Sequence, residues 1–94
     1  MFLRLVRFTF SEGSRSNAQD IANDLIPAIK KQPGCQSAVF FGGGDDGVSG
    51  LCVLWDSQEH AAAAADVISP KLQQHVAGKV NDPPDARLFP VLAS

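Results

Sequence analysis

Residues 35–55 read CQSAVFFGGGDDGVSGLCVLW, and this stretch decides the fold. Cys35 to Phe41 and Val48 to Trp55 are runs of aromatic, β-branched and other apolar residues, the composition of strands. Between them lies Gly42-Gly43-Gly44-Asp45-Asp46-Gly47. Glycine takes positive φ without steric penalty, so the two runs fold back on each other as a hairpin. The acidic pair in the loop, and the lack of a helix behind it, argue against a phosphate cradle.

Outward from the hairpin, both flanks read as helices. On the N-terminal side, Ala18, Ile21, Ala22, Leu25, Ile26 and Ile29 recur at helical spacing and make one apolar stripe running to about Gln32. Ser16 and Gln19 have the spacing of a capping box that opens this helix. Pro27 predicts a kink or a second segment, and Pro33-Gly34 ends the element. On the C-terminal side, Asp56-Ser57-Gln58-Glu59 offers Asp56 as the cap, with Glu59 three residues on. The run Ala61 to Ala65 is strongly helix-forming, and its side chains are too small to fill much core. Ser69-Pro70 predicts a restarted helix ending near Gly78.

Two further strands complete the pattern. Residues 2–10 and 86–92 are both apolar runs, the second preceded by the loop Asn81-Asp82-Pro83-Pro84. The order strand, helix, strand, strand, helix, strand predicts a ferredoxin-like α+β domain over residues 1–94, a four-stranded antiparallel sheet with both helices on one face.

Composition sets the bounds. Of 94 residues, 45% are hydrophobic and 19% charged, enough for one core and too apolar for a disordered chain. A net charge of −2 gives no electrostatic case for nucleic acid or an anionic membrane. The apolar start MFLRLVRFTF is broken by Arg4 and Arg7, and no apolar stretch reaches the roughly 20 residues of a membrane span. The expected location is cytoplasmic. Cys35 and Cys52 lack zinc-site spacing and read as small hydrophobes, although neighbouring strands could bring them together.

The strands are apolar on both faces. Phe2, Val6, Phe8 and Phe10 oppose Leu3 and Leu5; Ala38 and Phe40 oppose Val39 and Phe41; Leu51, Val53 and Trp55 oppose Cys52 and Leu54; Leu88 and Leu92 oppose Phe89 and Val91. A sheet with one wet face alternates apolar and polar instead. The helices can cover only one face, so a second copy is expected on the other, giving a homodimer.

Several stretches resemble antibiotic-biosynthesis-monooxygenase-type (ABM) domains of the dimeric α/β-barrel superfamily. They are the Pro-Gly turn of QPGCQSAVFF, the strand ending in Trp and followed by an acidic cap in LCVLWDSQEHA, and the Ser-Pro restart of SPKLQQHV. Together they cover most of the chain from Ser16 to Val80. The resemblance implies a homodimer in which two sheets face each other. It also implies a cofactor-independent monooxygenase acting on a small aromatic or quinol-like ligand, with no bound cofactor. The alternative is a non-catalytic dimeric module that binds a small molecule. Haem-degrading relatives place a His ligand near His75 and use an Asn on the first strand, and LRLVRFTF contains no Asn.

Four residues carry the functional expectation. Trp55, the only Trp, matches a position that lines the pocket in enzymatic relatives, and equally suits strand-end packing. His75 is a candidate proton acceptor, or the edge of a packed face. Arg4 and Arg7 interrupt an apolar strand on opposite faces, and one of them is expected to bind a phenolate or carboxylate. Their bland alternative, shared by Arg87, is pairing with an acid at the sheet rim. His60 reads as solvated. No hydrolytic triad or nucleotide fingerprint is present.

Overall fold

The central hairpin forms as the sequence predicts. In the computed structural model, which describes residues 1–11, 18–42, 47–80 and 84–93, β2 (Cys35–Phe41) and β3 (Val48–Trp55) pair antiparallel. Its end is set by Gly50, which has no Cβ; one there would collide with the ring of Phe41 and the carbonyl of Val6. Gly47 takes a φ of +76° as expected of the turn, while residues 43–46 lie outside the described part. β1 (Phe2–Thr9) pairs with the other side of β3, and β4 (Asp85–Pro90) with β1, both antiparallel. The strand order β2-β3-β1-β4, with the element order β-α-β-β-α-β, is the ferredoxin-like α+β fold.

The two helices lie on one face of the sheet. α1 (Ala18–Lys30) buries Ile21, Leu25 and Ile29, and α2 (Gln58–Val76) buries Ala61, Ala64, Ile68, Leu72 and Val76. Opposite them stand Val6, Phe8, Phe10, Leu51, Val53 and Trp55. Phe8 and Phe10 meet edge to face with ring centres 5.2 Å apart, a preferred aromatic geometry.

Three local expectations are corrected. Both helices run through their prolines without a break: Pro27 lies inside α1 and Pro70 inside α2. Both prolines, and Asn23 and Asp66 four residues earlier, are exposed, so water can take the place of each missing hydrogen bond. The cap of α2 is Ser57, not Asp56: the Ser57 hydroxyl accepts from the His60 backbone N–H at 3.2 Å. The last strand begins at Asp85 and ends at Pro90, short of Leu92, which is almost fully exposed. The Ser16 half of the α1 capping box falls outside the described residues; Gln19 bonds the Asn23 side chain instead.

The other face of the sheet carries the second apolar set. The register puts Leu3 and Leu5 of β1 beside Val39, Cys52, Leu54 and Phe89. Val39 is 57% exposed and Phe89 41%. Cys35 packs against the helix-side core while Cys52 lies on the open face, so neighbouring strands do not bring the two thiols together, and both are free. Burial raises the Cys35 pKa, which suits a packing thiol rather than a nucleophile. No described helix is long and apolar enough to cross a membrane.

Candidate functional site

The helix-side face of the sheet is not filled evenly. Beneath α2 the small side chains of Ala61, Ala64 and Ala65 stand where larger residues would meet the sheet, and a partly open cavity of about 60 Å³ remains. Its floor is Arg4 and Val6 of β1, Leu51, Val53 and Trp55 of β3 and Ala86 of β4. Ile29 of α1 and Ile68, Ser69 and Leu72 of α2 complete the wall. The alanine run, with side chains too small to fill the core, leaves this room.

Two donors border this space without partners. Arg4 pairs across β1–β3 with Val53, two residues from Trp55 on the same face. It is half-buried and forms no ion pair or hydrogen bond from its side chain among the described residues. The indole Nε1–H of Trp55 is buried and has no acceptor. Trp55 itself is only 3% exposed. The unmatched, buried indole donor costs about 1–3 kcal/mol, whereas the half-buried Arg4 guanidinium keeps contact with water. Among the described lining residues there is no His, Asp, Glu, Lys, Tyr or Cys.

The other two candidate residues lie elsewhere. Arg7 is on the open face, where its guanidinium lies 3.6 Å from Asp85, which Arg87 approaches at the same distance. His75 does not line the cavity. Its Nε2 lies 2.6 Å from Asp24 Oδ2, joining α2 to α1, and Lys71 Nζ reaches the same oxygen at 3.3 Å. The hydrogen bond from His75 and then that from Lys71 lower the Asp24 pKa. The structure thus brings Trp55 and Arg4 together and leaves Arg7 and His75 apart from them.

His60, expected to be solvated, is half-buried with its Nδ1 2.6 Å from Asp56 Oδ1. This bond is the largest cause of a lowered Asp56 pKa. Gly34 makes the contact possible: its φ is +84°, and a Cβ there would collide with both Asp56 and His60. Among the described residues no three His, Cys, Asp or Glu side chains cluster as a metal site would require.

With this geometry in view, solved structures give close matches of fold. A protein of unknown function from Nitrosomonas europaea superposes with a TM-score of 0.87 at 17% identity, over 99% of this chain and 90% of its own. A candidate antibiotic biosynthesis monooxygenase from the same organism gives 0.86 at 15%, over 99% of this chain and all of its own. The chain has the fold of these proteins. A monooxygenase of Streptomyces coelicolor, in complex with nanaomycin D, superposes with a TM-score of 0.77 at 19% identity, over 99% of this chain and 88% of that one. No model of a protein family and no curated protein matches the sequence.

Proposed function

We propose that the chain is a cofactor-independent monooxygenase whose substrate is a small aromatic phenol or quinol, bound in the cavity beneath α2. The observation that carries this reading is the pair of unpartnered donors, Arg4 and the Trp55 indole, on one cavity wall. A monooxygenase of the same fold holds a ligand, which supports a binding role for the fold without identifying the compound taken here.

The chemistry needs little machinery. A phenol with a free para position and dioxygen give a quinone and water: four electrons leave the ring, one oxygen atom enters the product, and the other leaves as water. No external reductant is consumed. The difficult step is the first electron transfer, which is easier from a phenolate than from a phenol. Arg4 stabilises that negative charge, the indole N–H fixes the oxygen, and the apolar alanine and leucine wall keeps water away.

A non-catalytic small-ligand module is the second reading, favoured by the small cavity. A cavity of about 150 Å³ is needed to enclose a benzene ring. The 60 Å³ present here is smaller, so a whole ring enters only if α2 moves outward. Oxygen uptake separates the two readings. With a panel of mono- and bicyclic phenols free at the para position, uptake above the spontaneous rate with one quinone formed per dioxygen consumed supports the monooxygenase; binding without uptake supports the module.

We also propose that the open face of the sheet is closed by a second copy of the chain. Leu3, Leu5, Val39, Leu54 and Phe89 support this, because a monomer would leave them in contact with water.

A further inference from the structure

The helix that roofs the cavity has a weak point above it. Pro70 has no N–H, so α2 lacks the backbone hydrogen bond from residue 70 to Asp66, and a bend there starts from a ladder already one bond short. Ile68 and Ser69, within that turn, line the cavity. Nearer its start α2 meets the sheet through Ala61 and Ala64, whose short side chains make few contacts. Both ends of the helix are fastened. Ser57 caps the first turn, and beyond the last one the carbonyl of Lys79 accepts from the Ser11 backbone N–H at 2.8 Å. Outward movement is therefore concentrated at Pro70, and one carboxylate opposes it. Asp24 of α1 accepts from Lys71 Nζ at 3.3 Å, one residue past the proline, and lies 2.6 Å from His75 Nε2, one turn further on. Among the described residues, Asp24 makes every polar side-chain contact between the two helices.

We infer that α2 is a lid over the cavity, hinged at Pro70 and held shut by the clasp of Lys71 and His75 on Asp24. The inference rests on the binding role proposed for the cavity and adds how that site opens. The closed cavity excludes a ring, so a ligand of that size binds only the molecules whose lid is bent outward. Apparent affinity then scales with the open fraction, and loosening the clasp raises both by one factor. The clasp side chains are partly exposed, so opening moves their charges into water and leaves none buried.

Thiol labelling measures the open fraction without a ligand. The chain is given Cys35→Ala and Cys52→Ala, and Ala64→Cys then places its only thiol on the buried, cavity-facing side of the lid. At neutral pH, alkylation by iodoacetamide is expected to depend only weakly on urea below the unfolding transition, because a bending lid exposes little surface. Adding Asp24→Asn should speed alkylation about two- to fivefold, the range for losing exposed ion pairs. Pro70→Ala, which restores the missing bond, should slow it about fivefold. Each variant is checked for a native circular dichroism spectrum first; if Asp24→Asn misfolds, Pro70→Ala decides alone. Calorimetry with 1-naphthol under nitrogen, in the chain with its own cysteines, should show Asp24→Asn binding tighter by the factor found for alkylation. The lid is overturned if alkylation follows the full urea slope of global unfolding, if either substitution leaves its rate unchanged, or if 1-naphthol binds with and without Asp24→Asn equally well. That last result leaves the binding reading intact. Faster alkylation with no 1-naphthol bound by any variant supports the lid and overturns the binding reading.

Discussion

Arg4 and Trp55 are unusual at the level of single residues: the buried Trp55 N–H carries a cost that packing does not offset, and Arg4 puts an unpaired charge in an apolar strand. An unpaired, half-buried guanidinium is usually replaceable by an apolar side chain of similar length without loss of stability. Arg4→Met is therefore expected to leave unfolding free energy unchanged or to raise it by about 1 kcal/mol, measured by urea denaturation, while ligand binding is lost. A purely structural Arg4 would show the opposite, a loss of stability. Gly34 is a residue of the other kind, fixed by geometry. Gly34→Ala places a Cβ at positive φ against Asp56 and His60 and is expected to cost at least about 1–2 kcal/mol, read as a lower melting temperature. The sequence announced Arg4 and Trp55 by their oddity, a charge in an apolar strand and a lone Trp. It did not show that they share a wall, because that depends on register: Arg4 stands opposite Val53, on the face that also carries Trp55.

Elements were more legible than their ends. The β2–β3 hairpin and the stripe of α1 follow from local patterns that the tertiary structure reinforces. Caps and prolines were decided by competition between neighbouring side chains and by exposure, which spacing alone does not rank. Asp56 and Ser57 are both good capping residues; Asp56 is engaged by His60, and Ser57 is left to cap α2. Likewise the partner of His75 is Asp24, fifty-one positions away, and no spacing rule reveals such a pair. The Asp24–His75–Lys71 contact fastens α2 to α1, and its pH dependence has a definite sign. The folded protein lowers the Asp24 pKa from its ordinary 3.8, so the contribution is present above that value and is lost as pH falls through the lowered one. Asp24→Asn is expected to lower the melting temperature at neutral pH. The gap between variant and wild type should close in acid, once the wild-type carboxyl is protonated; a gap that persists there contradicts the assignment.

At the scale of the whole molecule, one sheet has helices on one side and an apolar face on the other. Sedimentation velocity is expected to give a dimer at micromolar concentration, and Leu5→Glu, which puts a charge on the open face away from the helix-side core, is expected to give a monomer that retains its fold. Two-faced strands made the apolar open face legible from sequence. The cavity was not, because an alanine run reads equally as close packing or as space until the facing strand is in place. The central claim, that this space receives an oxyanion, is tested most directly by a crystal structure with 4-nitrophenolate. The expected result is a ligand oxygen within hydrogen-bond distance of both Trp55 Nε1 and the Arg4 guanidinium. A ligand bound anywhere else, or a cavity that stays closed to it at saturating concentration, contradicts the account.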